Sequence, residues 1–162
     1  MNKQEQAGSA LIISLVFLLI LTMIGVASIQ DSTLQERMAG NERDRNLAFQ
    51  AAEAALRVGE DHLRQAGIVF SNAGTNGLLG ADYDGIRPMA DSYPWDARSQ
   101  GITDSYAGVR SAPRYTLEWL TTRAYTPNDD VEVSVINSYR VTARAVGGTT
   151  DTVVLLQSTV SR

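Results

Sequence analysis

The sequence predicts an α+β protein in which one long N-terminal helix precedes a C-terminal antiparallel sheet of three or four strands. Three observations carry that prediction. Residues 9–30 form an apolar run, with no charged residue between Glu5 and Asp31. Residues 31–66 contain no proline and are dominated by Ala, Leu, Glu, Gln and Arg, all good helix formers. Beyond Pro113, apolar residues alternate at period two over two stretches, and a third stretch is rich in Val, Leu and Thr.

The apolar run comes first in the chain. Residues 10–29 hold thirteen Leu, Ile, Val or Phe. Some 20 helical residues span the roughly 30 Å hydrocarbon core of a bilayer. At about −0.3 to −0.6 kcal/mol each, the thirteen side chains favour insertion by about 4–8 kcal/mol. A helix buried in a soluble core normally keeps a polar face, and this stretch has none, so it is predicted to enter a membrane. The segment reads as a signal anchor, or as a secretory signal cut after the small residues Gly25-Val26-Ala27. A third reading looks at its front end, where a hydrophilic leader of residues 1–8 stops at Gly8, immediately before the apolar run. Lys3 opposes Arg37, Arg43 and Arg45 across the segment, so charge does not set its orientation.

The second element continues the helix to about Ala66. Phe49, Ala52, Leu56 and Leu63 fall on one apolar stripe at three-, four- and seven-residue steps. Leu34 and Met38 begin a similar stripe nearer the membrane. Glu53 with Arg57, and Glu60 with Arg64, are i,i+4 pairs with the acid first.

From residue 67 to 113 the composition turns glycine-rich and takes in three of the four prolines. Turn pairs such as Asn76-Gly77 and Asp84-Gly85 punctuate it. This reads as an irregular connecting region, with a short helix or strand near residues 93–98. Strands then follow over residues 114–125, 131–146 and 151–161. Tyr115, Leu117 and Trp119 share one face of the first. Gly147-Gly148-Thr149-Thr150 joins the last two as an antiparallel hairpin.

Composition bounds the chemistry. A net charge of −4 without a Lys/Arg run argues against a nucleic-acid groove. The chain has no cysteine, which excludes disulfides, iron–sulfur clusters and thiolate zinc sites. His62 is the only histidine and no nucleophile motif accompanies it, so it reads as a surface or packing residue; no enzyme and no cofactor are expected. Asp82-Tyr83-Asp84-Gly85 superficially resembles a calcium loop, with Asp129 and Asp130 as further oxygen donors, but the EF-hand spacing fails. Trp95, Trp119, Tyr93, Tyr106, Tyr115, Tyr125 and Tyr139 read as core or sheet-face residues.

The leader, Gly8, the apolar helix and then Leu34-Gln-Glu-Arg-Met-Ala-Gly-Asn-Glu-Arg-Asp-Arg-Asn-Leu-Ala-Phe-Gln-Ala-Ala-Glu-Ala-Ala-Leu56 resemble the N-terminal region of the PilX family, minor pilins of bacterial type IV pili. Tyr139-Arg-Val-Thr-Ala-Arg-Ala-Val-Gly147 and Thr152-Val-Val-Leu-Leu-Gln-Ser-Thr159 resemble the closing strands of the same family. The resemblance implies a type IV pilin-like fold and a division into leader (1–8), transmembrane and filament-core helix (9–30), amphipathic continuation (31–66), connecting region (67–113) and sheet (114–162). It implies prepilin peptidase cleavage between Gly8 and Ser9, N-methylation of Ser9, and an inner-membrane protein whose C-terminal domain faces the periplasm before it joins an extracellular pilus. Implied partners are other minor pilins, the major pilin, the inner-membrane assembly platform and a large tip adhesin, in support of twitching motility and adhesion. Most pilins carry Glu at the fifth mature position, which here is Ile13. A subunit lacking that Glu cannot neutralise a neighbour above it and fits best at the filament tip; alternatively Ile13 packs in a bundle whose charge is handled otherwise. The competing function is a membrane-anchored or secreted periplasmic binding domain with no filament role.

Overall fold

The computed structural model of the chain describes residues 5–103, 106–125 and 134–162. It comprises two compact units, Met1–Glu42 and Arg43–Arg162. Helix α1 (Glu5–Leu63) supplies the first unit and opens the second.

In the first unit, every side chain over residues 9–42 is exposed, on all sides of the helix. Its apolar surface includes Leu11, Phe17, Leu21, Met23 and Ile29, each more than three-fifths exposed. The polar residues within the apolar run are satisfied by the helix itself. Ser14 Oγ donates to Leu11 O at 2.9 Å and Thr22 Oγ1 to Leu19 O at 2.8 Å. Such back-bonding lets hydroxyls sit in hydrocarbon without an orphaned donor. Within the described chain, α1 is the helix long and apolar enough to cross a membrane.

In the second unit, the Arg43–Leu63 part of α1 lies on a five-stranded sheet. The stripe that packs is Ala48, Ala51, Ala52, Ala55 and Leu63, all nearly inaccessible. Of the predicted stripe, Ala52 and Leu63 are buried and Leu56 packs against the core from its margin, whereas Phe49 is 46% exposed. Small side chains win the buried positions because they let the helix axis approach the sheet closely. The helix also stops earlier than predicted, at Leu63 rather than Ala66. Arg162 Nη1 donates to the free carbonyl of Leu63 at 2.6 Å, and Gly67, with φ +83°, turns the chain away. Arg57 pairs with Glu53 at 2.6 Å, but Arg64 pairs with Asp61 at 2.8 Å rather than with Glu60.

Strands β3 (Ser111–Tyr125), β4 (Ser134–Val146) and β5 (Val153–Ser161) form the antiparallel body of the sheet. The predicted second strand began at Val131, and residues 126–133 lie outside the described residues. Two further strands come from the connecting region, β1 (Leu78–Leu79) and β2 (Gln100–Gly101). Both pair along the outer edge of β3, β1 parallel and β2 antiparallel, giving the order β1-β3-β4-β5. The predicted short element at residues 93–98 is instead a series of turns.

Tyr115, Leu117, Val141, Ala143 and Ala145 face α1 and build the core with it. Trp119 shares that face but is half-buried beside Phe70, at 6.2 Å between ring centroids. The opposite face is not open to solvent as simple alternation implies. Thr116, Glu118 and Thr142 are buried there. The connecting region covers them and is braced by its own bonds, with Tyr83 Oη donating to Ile86 O at 3.0 Å and Arg98 Nη1 to Tyr83 Oη at 3.1 Å. Tyr93 Oη donates to Arg98 O, and Tyr93 stands edge-on to Trp95 at 5.1 Å between centroids. Burial raises the Tyr93 phenol to about 12, so it stays neutral and a donor.

Candidate functional site

The residues singled out at the N-terminus lie on α1. Gly8 and Ser9 fall within its first turns. Ile13 is 54% exposed on a surface that is apolar around its whole circumference. An apolar cylinder of this kind is not stable against water. It requires lipid or other apolar helices around it, so it is an association element.

The second unit clamps the turn of its β4–β5 hairpin to α1. Asp44 accepts bonds from the Gly148 N–H and, at 2.6 Å, from the Thr149 hydroxyl, with the Thr149 N–H at 3.3 Å. The side-chain donors Thr149 and then Thr152 hold the Asp44 carboxyl at about 2, below its ordinary 3.8. A carboxyl with a lowered folded-state pKa stabilises the fold fully above its unfolded value and loses that contribution as pH falls through the folded one. The clamp is therefore complete above pH 3.8 and released as the pH drops toward about 2. Asp44→Asn is expected to speed exchange of the Gly148 and Thr149 amides several-fold at neutral pH and to flatten the loss of thermal stability in this acid window. Amide exchange followed by NMR, with thermal midpoints taken across that pH range, checks both.

On the far face, the buried Glu118 carboxylate lies between two arginines. Arg140 Nη1 stands 3.1 Å from one oxygen, and Arg87 meets the other while its Nη2 donates to Tyr83 O at 3.1 Å. Arg87 also sits over the Tyr83 ring, 6.0 Å from its centroid. A buried charge needs such compensation, and the triad ties the connecting region to β3 and β4. Arg114 joins the same face and pairs with Asp96 at 3.3 Å.

His62 packs edge-on to Tyr115, its Nδ1 3.0 Å from the Tyr115 hydroxyl, which donates to Gln100 Oε1 at 2.9 Å. That bond links α1 to β2 through β3. Burial raises the Tyr115 phenol. Asp82 and Asp84 are exposed in a turn, while Asp129 and Asp130 lie outside the described residues. Among the described residues, no group of three or more His, Cys, Asp or Glu side chains could hold a metal ion.

Two open concavities flank the sheet. One, of about 630 Å³, is walled by Leu63, Ile68, Phe70, Trp119 and Tyr139. The other, of about 540 Å³, lies beside β5 between residues 90–97 and Arg144, Val153 and Leu155. Both are open surface grooves with mixed polar and apolar walls. Asp44, Glu118 and Arg144 belong to none of the ligand, turn or charge-pair motifs in the sequence. Glu118 falls on the polar side of the alternation in β3, so its burial had no local signal. Nothing local distinguished Asp44.

A family model described as PilX N-terminal matches residues 7–57. A second, described as type IV pilus assembly protein PilX C-term, matches residues 39–162. No curated protein and no solved structure matches the chain.

Proposed function

The chain belongs to the PilX family of type IV pilus assembly proteins, and from that membership we propose that it is a minor pilin that primes pilus assembly and sits at or near the filament tip. The observation that carries this reading is the bare apolar helix. A surface apolar on every side, continuous with a helix that opens a folded domain, suits a subunit that leaves the bilayer by exchanging lipid contacts for contacts with sister helices.

In this reading a peptidase cuts between Gly8 and Ser9, and Ser9 becomes the methylated amino terminus. The domain faces the periplasm, then the cell exterior. Partners are other minor pilins, the major pilin, the inner-membrane platform and a tip adhesin, and the readouts are twitching motility and surface adhesion. Ile13 supports the terminal position. A charge left unpaired in apolar surroundings costs several kcal/mol, so a subunit without an acid at this position is a poor partner for a neighbour stacked above it.

Intact mass of the membrane-extracted protein, combined with immunogold labelling of sheared filaments, tests the proposal. The expected result is a chain beginning at Ser9 with one added methyl group, and label confined to one end of the filament. A chain beginning at Ser28, or one absent from filaments altogether, would replace this reading with that of a secreted or anchored periplasmic domain. Label scattered along the shaft would remove the tip assignment alone.

A further inference from the structure

The two edges of the sheet are finished differently. On the β3 side, β1 and β2 pair with the outer backbone, and Ser71 extends this cover through a bridge to Leu79. On the β5 side, no described residue pairs with the outer backbone. The identity of the unpaired groups follows from the ladder. Asn137 and Arg162 exchange both backbone bonds, at 2.7 and 2.8 Å, and the Gly147 N–H donates to Thr152 O at 2.8 Å. The register between those points is unbroken, from Ser138 opposite Ser161 to Val146 opposite Val153. Antiparallel bonding alternates along a strand. Val154, Leu156, Ser158 and Val160 therefore bond inward to β4, while the N–H and C=O groups of Val153, Leu155, Gln157, Thr159 and Ser161 point outward.

Proteins ordinarily blunt such an edge with lysine, proline or a bulge. Strand β5 has no charged residue, no proline and no register shift. Beside it runs the groove of about 540 Å³, with Tyr93, Trp95 and Leu155 among its walls. Arg144 lies in this groove, half-buried and without an acidic partner among the described residues. Its neighbours on the same face are paired: Arg114 with Asp96, and Arg140 with Glu118. Asp91 stands exposed at the groove's rim.

We propose that the edge of β5 and the adjoining groove bind an extended segment of another polypeptide by strand addition, with a carboxylate of that segment against Arg144. Main-chain bonds to the five outward-facing residues supply affinity, and alternate side chains enter the groove beside Trp95 and Leu155. Arg144 sets the preference for an acid, because a half-buried guanidinium gains most from a carboxylate that it can bond directly. The inference rests on the sheet alone and stands whether or not the chain enters a pilus.

The test uses the full chain in detergent micelles and a short capped peptide of alternating valine and threonine with a central glutamate. Binding is read by fluorescence anisotropy, and the edge by amide exchange. The expected result is saturable binding that slows exchange at Val153, Leu155, Gln157, Thr159 and Ser161. The lysine-centred peptide should bind at least about tenfold more weakly, equivalent to ~1.4 kcal/mol. Arg144→Gln should bring the two peptides together. Thr159→Pro removes one outward N–H and spares the bonds to β4; it should abolish binding with an unchanged circular dichroism spectrum. Unslowed edge amides at saturating peptide, or full binding by a folded Thr159→Pro chain, would overturn strand addition. Equal affinity for the two peptides would overturn the role of Arg144. Edge amides that slow with protein concentration alone would make a second copy the occupant and overturn the assignment to another polypeptide.

Discussion

Gly59→Ala is expected to destabilise the second unit, although alanine is the better helix former. A Cβ at position 59 would stand 2.6 Å from Val141 Cγ1 and 3.0 Å from Tyr115 Cδ2. Val141 is fully buried, β-branched and held in the central strand β4, so it cannot swing aside as a long side chain would. Overpacking of this kind costs typically about 1–3 kcal/mol, against at most about 1 kcal/mol gained in helix propensity. The helix would have to lift off the sheet, disturbing the neighbouring contacts of Ala55 and Leu63 with Leu117 and Ala143. Gly40→Ala is the control of opposite sign. No atom lies within 4 Å of a Cβ built there, so the propensity gain of up to about 1 kcal/mol is unopposed. Urea denaturation of both variants in the same detergent compares them. A Gly59→Ala chain as stable as the parent would mean that α1 sits further from β4 than described.

Gly8→Leu is expected to abolish assembly while leaving the folded domain intact. In the proposed maturation, the peptidase must bring the backbone at position 8 close to its catalytic groups, and a branched side chain obstructs that approach. The uncut chain keeps Lys3 and Glu5 ahead of the apolar helix. Charges within apolar surroundings cost several kcal/mol each unless they reach water or a partner, so the leader would hold the helix at the membrane surface and out of a stack of apolar helices. Intact mass should show residues 1–162 without methylation, and the sheared-filament fraction should contain none of the protein. Amide exchange in β3 and β4 should match the parent chain. Normal filament incorporation of an uncut chain would sink the maturation proposal.

The long helix was legible because its signals are local. Thirteen large apolar residues with no charge between them, and then no proline up to Ala66, determine a helix whatever surrounds them. The β4–β5 hairpin was legible for a similar reason, as an alternating stretch and a run rich in Val, Leu and Thr meet at paired glycines and the structure joins them antiparallel. The face of α1 that packs was read correctly at Ala52 and Leu63 but not at Phe49, because hydropathy ranks Phe49 above Ala48 and Ala55. Close approach to the sheet reverses that ranking: the alanines are buried and Phe49 is largely exposed.

What the sequence by itself determined is the class of protein: an apolar helix, a helical continuation, a connecting region, an antiparallel hairpin, and a family resemblance carried by contiguous residues. Composition, period and short-range turns encode these features within a few residues of where they act. The tertiary structure alone decided that Asp44 clamps a turn more than a hundred positions away, that Glu118 is buried between Arg87 and Arg140, and that β1 and β2 close one sheet edge while β5 leaves the other open. Each of these depends on which surfaces meet. Surfaces meet through the packing of small side chains and the pairing of distant backbone groups, and neither leaves a periodic trace in the chain.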